Sequence, residues 1–322
     1  MTAPSFPVRT RALLFLVLTN FFWGLSFPLG KGLMLLHTRL LPDAGEWFPV
    51  MYAMAPRFLL AAGLILALRP WAAWRMTRRE LQQGLLLGMF TTLGMLLQID
   101  GLRFTSASTS AFLTQFSAIL IPVWLAWRGR RSPGARVWVC CLMVLAGVAI
   151  LGRFDWSSWE FGRGEWETLL SSLFFTGQIL SLDREEFAGN RPEKITLVMF
   201  ATVGLACGGL AVVTAPNGQA FLLPWSSPAW LGATALLTLF CTYGAFSLMT
   251  AWQPKITATE AGLIYCIEPV FASALALFLP AWLARWAQVD YANEKATWTL
   301  LVGGGLITLA NGLLQLRPPA KP

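Results

Sequence analysis

Charged side chains are scarce in this sequence of 322 residues. Asp, Glu, Lys and Arg together make up 12% of the chain, whereas a soluble domain carries about 25%. Hydrophobic residues make up 56%, and the mean hydropathy is +0.59. This composition excludes the two soluble domains that the length alone would allow, and it indicates a multi-pass membrane protein.

Residues that carry metal or nucleophilic chemistry are also rare. The sequence has one histidine, His37, which we expect near the outer interface of the first membrane span; a lone histidine cannot form a His-based metal cluster or a catalytic triad. The five cysteines fall inside apolar stretches without the spacing of zinc ligands, so we expect them to act as packing residues. We therefore predict no cofactor, no metal site and no catalytic residue.

The sequence also lacks a nucleotide-binding loop. No GxxxxGK[ST] motif occurs, so ATP is not expected to be the direct energy source. The net charge of +8 has no accompanying basic and aromatic platform outside the apolar stretches, and we expect no binding to nucleic acid. The positive charge fits loops that obey the positive-inside rule.

What the sequence does contain is a series of apolar stretches. About 20 apolar residues cross a bilayer as a helix, and on that basis we predict ten spans. They are Ala12–Leu36, Phe48–Leu68, Leu81–Ile99, Ser106–Trp127, Val137–Gly152, Glu167–Leu182, Ile195–Ala215, Ala229–Trp252, Ile256–Ala281 and Trp298–Leu316.

The charges of the loops support this count. With both termini in the cytoplasm, sixteen Lys and Arg residues fall on the cytoplasmic side and six on the other side; Lys31 and Arg57 lie inside spans, which accounts for all 24. Such a bias is the positive-inside signature. We expect the protein in a bacterial inner (plasma) membrane, with the lipid bilayer as its surroundings.

The ten spans divide into two halves of five. We predict a first repeat at residues 1–152, a connecting loop at 153–166, a second repeat at 167–316 and a disordered cytoplasmic tail at 317–322. A shift of 151 residues lays Ser106-Ala107-Ser108 over Thr257-Ala258-Thr259, and Ser117-Ala118 over Glu268-Pro269. Because five is odd, equivalent helices run in opposite directions. The predicted fold class is therefore an all-α polytopic membrane protein, with ten transmembrane helices as two inverted five-helix repeats around a central cavity.

Glu268 is the most costly residue inside a span, because a carboxylate in hydrocarbon must be paired, protonated or facing water. In one interpretation it binds a cationic group or exchanges a proton, since burial disfavours its charged form. In the other it hydrogen-bonds to the backbone of a broken helix and holds the kink at Pro269. Pro269 and Pro56 are the predicted hinge residues.

Two cations also lie inside spans. Arg57 is a candidate site for a substrate carboxylate, but we favour a fixed ion pair or a contact to carbonyls freed near Pro56. Lys31 either guards the mouth of a pathway or extends its side chain to the interface, and we favour the interface. Both remain candidates for charge pairing or coupling, together with Glu268.

The remaining polar residues at mid-span depth are predicted to line a cavity. One such residue usually joins two helices, but several on separate helices indicate a polar path. The pairs Gly84/Gly88 and Gly204/Gly208 have GxxxG spacing and predict close helix packing. The predicted cavity residues are Asn20, Trp23, Gln98, Thr114, Gln115, Gln178, Tyr243, Tyr265 and Glu268.

Several short motifs occur in a characteristic order. They are Asn20-x-x-Trp23-Gly24, Pro56-Arg57-Phe58, Thr105-Ser106-Ala107-Ser108 and Glu268-Pro269-Val270. Together they resemble the EamA family of the drug/metabolite transporter superfamily. The resemblance implies a cavity lined mainly by helices 1, 3, 4, 6, 8 and 9, and substrates such as small metabolites, amino acids and drugs, often moved outward. The chain departs from the family at Ser117-Ala118, where members often have a proline, and at the extended loop after Pro280.

The sequence therefore predicts a secondary transporter, not an enzyme, that moves a small metabolite, amino acid or drug-like solute by alternating access, as an exporter. One alternative is an integral membrane enzyme acting on a lipid or isoprenoid, which would need an acidic metal cluster or a nucleophile with its base. Another is a receptor or assembly subunit, for which the loops are short. A homodimer through Gly303-Gly304-Gly305 of the tenth span is a minority interpretation.

Overall fold

The computed structural model describes residues 6–105, 107–129, 134–151, 162–295 and 298–316. These residues form α-helices joined by short turns, and no strand occurs among them. The helices of the first half are α1 (Phe6–Leu40), α2 (Trp47–Leu68), α3 (Arg78–Phe104), α4 (Ala107–Thr114), α5 (Ser117–Gly129) and α6 (Ala135–Leu151).

The second half begins with α7 (Arg163–Leu182) and α8 (Pro192–Thr214). A long helix follows as α9 (Pro228–Leu236), a π-helical stretch (Leu237–Gly244) and α10 (Ala245–Trp252). The remaining helices are α11 (Ala258–Tyr265), α12 (Glu268–Ala276), α13 (Leu279–Ala287) and α14 (Trp298–Leu316).

The ten predicted spans all coincide with helical chain, but two of them are broken. The fourth is split into α4 and α5 at Gln115-Phe116, and the ninth into α11 and α12 at Cys266-Ile267. By length and composition, five helices in the described residues can each cross a membrane, or six if the bent unit from Ala258 to Ala287 counts as one span.

Several predicted boundaries differ from the ends of the helices. The ninth span does not run on to Ala281, because the chain bends by 59° between Ala276 and Leu279 and continues as α13. That helix also occupies the beginning of the predicted extended loop. The sixth span begins at Arg163 rather than Glu167, so the connecting loop is shorter than residues 153–166. The rest of that loop, at 152–161, and the tail at 317–322 lie outside the described residues.

The two broken spans follow one geometry. Helices α4 and α11 begin and end 151 residues apart, and so do the starts of α5 and α12. Two backbone hydrogen bonds from residue i to residue i−3 recur at the same offset. Phe116 N donates to Leu113 O at 3.2 Å, and the matching Ile267 N donates to Ile264 O at 3.0 Å. Three residues later, the bond of Ile119 N to Phe116 O matches that of Val270 N to Ile267 O, both at 3.0 Å. Tight bonds of this kind mark a local change from α to 3₁₀ geometry.

Glycines bring several helices together. A Cβ on Gly84 would lie 2.5 Å from the Cβ of Val198, and one on Gly88 would lie 2.5 Å from the Cβ of Thr202, so α3 and α8 touch backbone to side chain. Gly204 of α8 faces Leu59 of α2 in the same way. This is the close packing that small residues at GxxxG spacing predict.

Candidate functional site

A cavity lies where the two broken spans meet. Its empty volume, counted to its open mouth and including solvent there, is about 570 Å³. Helices α1, α3, α7 and α10 complete its wall. The lining residues are Trp23, Ser26, Met95, Gln98, Thr114, Gln115, Ser117, Phe175, Gln178, Ile179, Phe246, Met249, Tyr265 and Glu268.

This wall draws on the first, third, fourth, sixth, eighth and ninth spans, the set that the family resemblance implies. Seven of the nine predicted cavity residues line it: Trp23, Gln98, Thr114, Gln115, Gln178, Tyr265 and Glu268. Their contact with a substrate remains a prediction. Asn20 is buried away from this cavity and donates through Nδ2 to the Leu16 carbonyl at 2.6 Å. Tyr243 lies in the π-helical stretch and is not among the lining residues.

Glu268 is the first residue of α12 and is 7% exposed. Its carboxyl group is hydrogen-bonded to Gln115, which lies in the break of the facing span. In the described chain it forms no salt bridge with a Lys or Arg side chain. Its hydrogen-bond partner is thus a side chain across the cavity.

An aromatic group covers one side of the cavity. The Trp23 ring lies edge to face with Tyr265, with ring centroids 5.2 Å apart, and with Phe246 at 5.4 Å. The indole Nε1 of Trp23 is buried and has no hydrogen-bond partner. The Tyr265 hydroxyl donates to Gln253 Oε1 at 2.9 Å, so its ring is fixed at both edges.

The amides of the cavity are bonded to neighbouring hydroxyl groups. Gln98 Nε2 donates to Thr114 Oγ1 at 2.9 Å, and Gln178 Nε2 donates to Thr91 Oγ1 at 2.8 Å. Each bond joins two different spans, as expected for polar residues between membrane helices. The amides are consequently held in place while part of each side chain faces the cavity.

Arg57 lies elsewhere. Its guanidinium donates to the Thr242 hydroxyl and to the Cys241 carbonyl, both in the π-helical stretch. The carbonyl belongs to the facing helix, and not to the turn near Pro56 where we expected the contact. Pro56 itself lies inside the continuous helix α2, whereas Pro269 begins α12 just after a break.

Two residues that we expected at the interface have hydrogen-bond partners within the protein. Lys31 Nζ donates to the carbonyl of Thr105 at 3.1 Å, so the protein holds its ammonium group. His37 is 0% exposed, and its Nε2 accepts a hydrogen bond from Trp230 Nε1 at 2.8 Å. In both cases the polar group has a hydrogen-bond partner that is distant in sequence.

A charge cluster at the far ends of α3 and α7 was missed. Asp100, which is 0% exposed, accepts bonds from Arg163 at 2.6 Å and from Arg103 at 2.9 Å. Arg163 also bonds Glu46 and Glu167, and its hydrogen bond lowers the pKa of the Glu46 carboxyl from its ordinary value. The i, i+3 spacing of Asp100 and Arg103 was the available signal. We call this cluster the outer tie.

At the opposite end, α1 is joined to α11. Arg9 bonds Glu260 at 2.8 Å, and Glu260 also completes a capping box with Thr257. The Asp183 carboxylate accepts from the backbone N–H of Ala258 at 3.3 Å. We call these contacts the inner tie.

These features fit a multi-pass helical membrane protein with a partly polar cavity. The sequence model of the EamA-like transporter family matches residues 10–153. This match confirms the resemblance seen in the motifs and supports a membrane transporter of the drug/metabolite type.

Solved structures share the fold. Twenty-eight chains of solved structures match this chain. One of them, described as the crystal structure of a protein, has a TM-score of 0.68 and 16% sequence identity. The match covers 96% of this chain and 97% of that chain. At that identity the likeness concerns the fold alone. The comparison with curated proteins gave no match.

Proposed function

We propose that this protein is a secondary transporter that moves a small organic solute by alternating access, through ten spans arranged as two inverted five-helix repeats. The observation that carries the proposal is the cavity between two broken helices, with polar ties at both ends. Broken helices meeting at a central site are a recurring design of secondary transporters.

The long-range polar contacts support the ten-span topology. Arg163 meets Glu46, Lys194 meets the carbonyls of Trp74 and Arg75, and Arg9 meets Glu260. In each case the partners come from segment ends that ten spans put on the same side of the membrane. One missing span would move later partners to opposite sides, so the contacts support the full count. The charge bias of the loops supports placing both termini in the cytoplasm.

The helix contacts support an inverted repeat. Helix α3 packs on α7, and its counterpart α10 packs on α1. Helix α4 also packs on α7, and its counterpart α11 packs on α1. Helix α2 packs on its own counterpart α8, and α6 on α14. This pattern is what a two-fold relation between residues 1–152 and 167–316 requires.

Alternating access needs one end of the cavity to open while the other stays closed. The outer tie joins α3 to α7, and the inner tie joins α1 to α11, so the two ends are joined by different helix pairs. Breaking one tie leaves the other intact. We propose that the two ties form and break in turn, and that net movement is outward, as the family implies.

Proteoliposomes containing the purified protein test this function. We expect a saturable flux of labelled solute that occurs only in vesicles containing the protein. Unlabelled solute inside the vesicles should stimulate this flux (trans-stimulation). Arg9→Gln should raise the labelling of a single cysteine introduced at the inner end, and Arg163→Gln the labelling of one introduced at the outer end. Flux that shows no saturation and no trans-stimulation would indicate a pore and overturn alternating access.

The enzyme alternative gains no support from the described residues, because no group of three or more His, Cys, Asp or Glu side chains there is placed to hold a metal. A homodimer stays a prediction. A Cβ on Gly147 would lie 2.8 Å from the carbonyl of Gly303, so α6 covers part of the glycine run, whereas Gly305 has nothing within 4 Å.

A further inference from the structure

The cavity carries charge of one sign. Glu268 is the one Asp, Glu, Lys or Arg among its fourteen lining residues. Arg57 bonds the π-helical stretch and Lys31 bonds Thr105, so neither cation reaches the wall. A solute carboxylate placed here would meet Glu268 without a cation to offset it, and like charges at short range repel.

The helix ends at the cavity do not reverse this sign. Each break brings the C-terminus of one helix next to the N-terminus of the next: α4 with α5, and α11 with α12. The partial charges of a helix C-terminus and a helix N-terminus are opposite, so within each break they largely offset one another. The formal charge of the carboxylate therefore decides which solutes the cavity favours.

The aromatic wall suits the same kind of solute. Trp23, Tyr265 and Phe246 form a contiguous group of rings, and the face of an aromatic ring attracts a cation within about 6 Å. Met95 and Met249 add polarizable thioethers to the wall, and such side chains pack well against flat apolar groups.

We propose that the cavity recognises an organic monocation that bears a flat apolar group. The cationic nitrogen pairs with Glu268, and the apolar part lies on the rings of Trp23 and Tyr265. This proposal rests on the transporter function proposed above and names the class of its substrate. Gln115 keeps the carboxylate directed into the cavity, and a proton is the competing ligand of the same group.

Three indole compounds that differ in charge test the proposal on the full-length protein. They are tryptamine, a cation; indole-3-propionate, an anion; and tryptophan, a zwitterion. Binding in detergent is measured by competition with radiolabelled tryptamine, and flux is measured separately in proteoliposomes. We expect tryptamine to bind at least 10-fold more tightly than either of the others, because only tryptamine has a cation without a carboxylate.

Two substitutions locate the recognition. Glu268→Gln keeps the size of the side chain and its hydrogen bond with Gln115, and it should weaken tryptamine binding by roughly 10- to 100-fold, the value of a hydrogen bond to a charged group. Trp23→Leu should weaken it roughly 3- to 30-fold through loss of the ring face. Glu193→Gln, at the start of α8 and away from the cavity, is the matched control and should change nothing.

The outcomes separate the two proposals. Tight binding of the cation with no flux would refute the transporter function and leave the substrate class standing. Flux of tryptophan or indole-3-propionate without binding of tryptamine would do the reverse. Equal binding of all three compounds, binding of none, or a preference for the cation that survives in the Glu268→Gln variant would each overturn the monocation proposal.

Discussion

Arg57 offers a sharp test of how this fold holds a buried cation. The side chain is 4% exposed and has no carboxylate partner among the described residues. Its hydrogen bonds go to the Thr242 hydroxyl and the Cys241 carbonyl. We compare two substitutions, Arg57→Lys and Arg57→Met, which differ in whether the charge stays.

The structure predicts that the charged substitution is the more damaging one. Lysine keeps the cost of a buried charge, its ammonium is more strongly hydrated than a guanidinium, and it cannot reproduce the forked contact. Each bond from an ionised donor contributes about 1.5–3 kcal/mol, so we expect a loss of about 2–4 kcal/mol in the free energy of unfolding. Methionine removes the bonds and the charge together, and these effects largely offset.

For Arg57→Met we therefore expect a loss of about 1 kcal/mol, mainly from the Cys241 carbonyl left without its donor. The Thr242 hydroxyl still donates to the Leu237 carbonyl at 2.9 Å, so it is not left unsatisfied. Unfolding by SDS titration of the protein in mixed micelles, followed by circular dichroism, measures both values. Arg69→Lys, at the exposed end of the same helix, is the control and should be neutral.

A methionine variant less stable than the lysine variant would refute this reasoning, because it would show that the charge itself stabilises the fold. The alternative role, a site for a substrate anion, predicts another result: the methionine variant would keep its stability and lose transport of an anion, while the lysine variant would retain part of it. Flux per folded protein, measured beside stability, distinguishes the two roles.

Three further predictions use the same titration or a labelling assay. Gly88→Ala brings a Cβ to within 2.5 Å of the Thr202 Cβ and should lower the free energy of unfolding by about 1–3 kcal/mol. The control Gly209→Ala, with nothing within 4 Å of the added Cβ, should be neutral or slightly stabilising. A larger loss in Gly209→Ala than in Gly88→Ala would contradict the α3–α8 contact. Lys194→Met removes the hydrogen bonds of Nζ to the carbonyls of Trp74 and Arg75, both at 2.9 Å, and leaves the buried Glu80 without its cation. The free energy of unfolding should therefore fall by about 3 kcal/mol. Lys255→Met, at an exposed position, is the control, and an equal effect of that substitution would refute this reasoning. Because Arg163 lowers the pKa of Glu46, their bond is present above the ordinary value of 4.5 and is lost as the pH falls through the lower value of the folded protein. A single cysteine introduced at the outer end, and labelled with a dipyridyl disulfide that reacts at low pH, should become more accessible on acidification. In the Arg163→Gln background its labelling should be high at every pH, and a flat profile without that substitution would show that Glu46 does not contribute.

The frame of the fold could be predicted from the sequence because membrane spans are set by composition and length. A stretch such as Ile195–Ala215 is apolar throughout, and no other element crosses a bilayer so simply. The polar lining was predictable for a related reason: Gln98 and Gln178 are too costly to face lipid, so each had to face protein or a cavity.

What the sequence did not predict depends on contacts between distant segments. Lys31 and His37 lie where side chains often reach the interface, but Thr105 and Trp230 are near enough to hold them. The break at Gln115-Phe116 contains neither glycine nor proline, so it left no local signal. The outer tie joins residues 46, 100 and 163, which only the packing of α3 on α7 brings together.

The two breaks also bear on why Glu268 lies in a span. The fourth span has Ser117-Ala118 at the positions that match Glu268-Pro269 in the ninth span. If Glu268 and Pro269 were needed for the break, the fourth span should be continuous there. It breaks at the same offset, with the same i to i−3 bonds. The break is therefore a property of the shared frame and requires neither residue. Pro269 has only a local effect. In the fourth span the N–H of Ala118 donates to the Gln115 carbonyl at 2.9 Å. Pro269 is at the matching position of the ninth span and has no N–H, so the matching bond to the Cys266 carbonyl is missing. Glu268 forms no such backbone contact among the described residues, which favours the proposed role of its carboxyl group in the cavity.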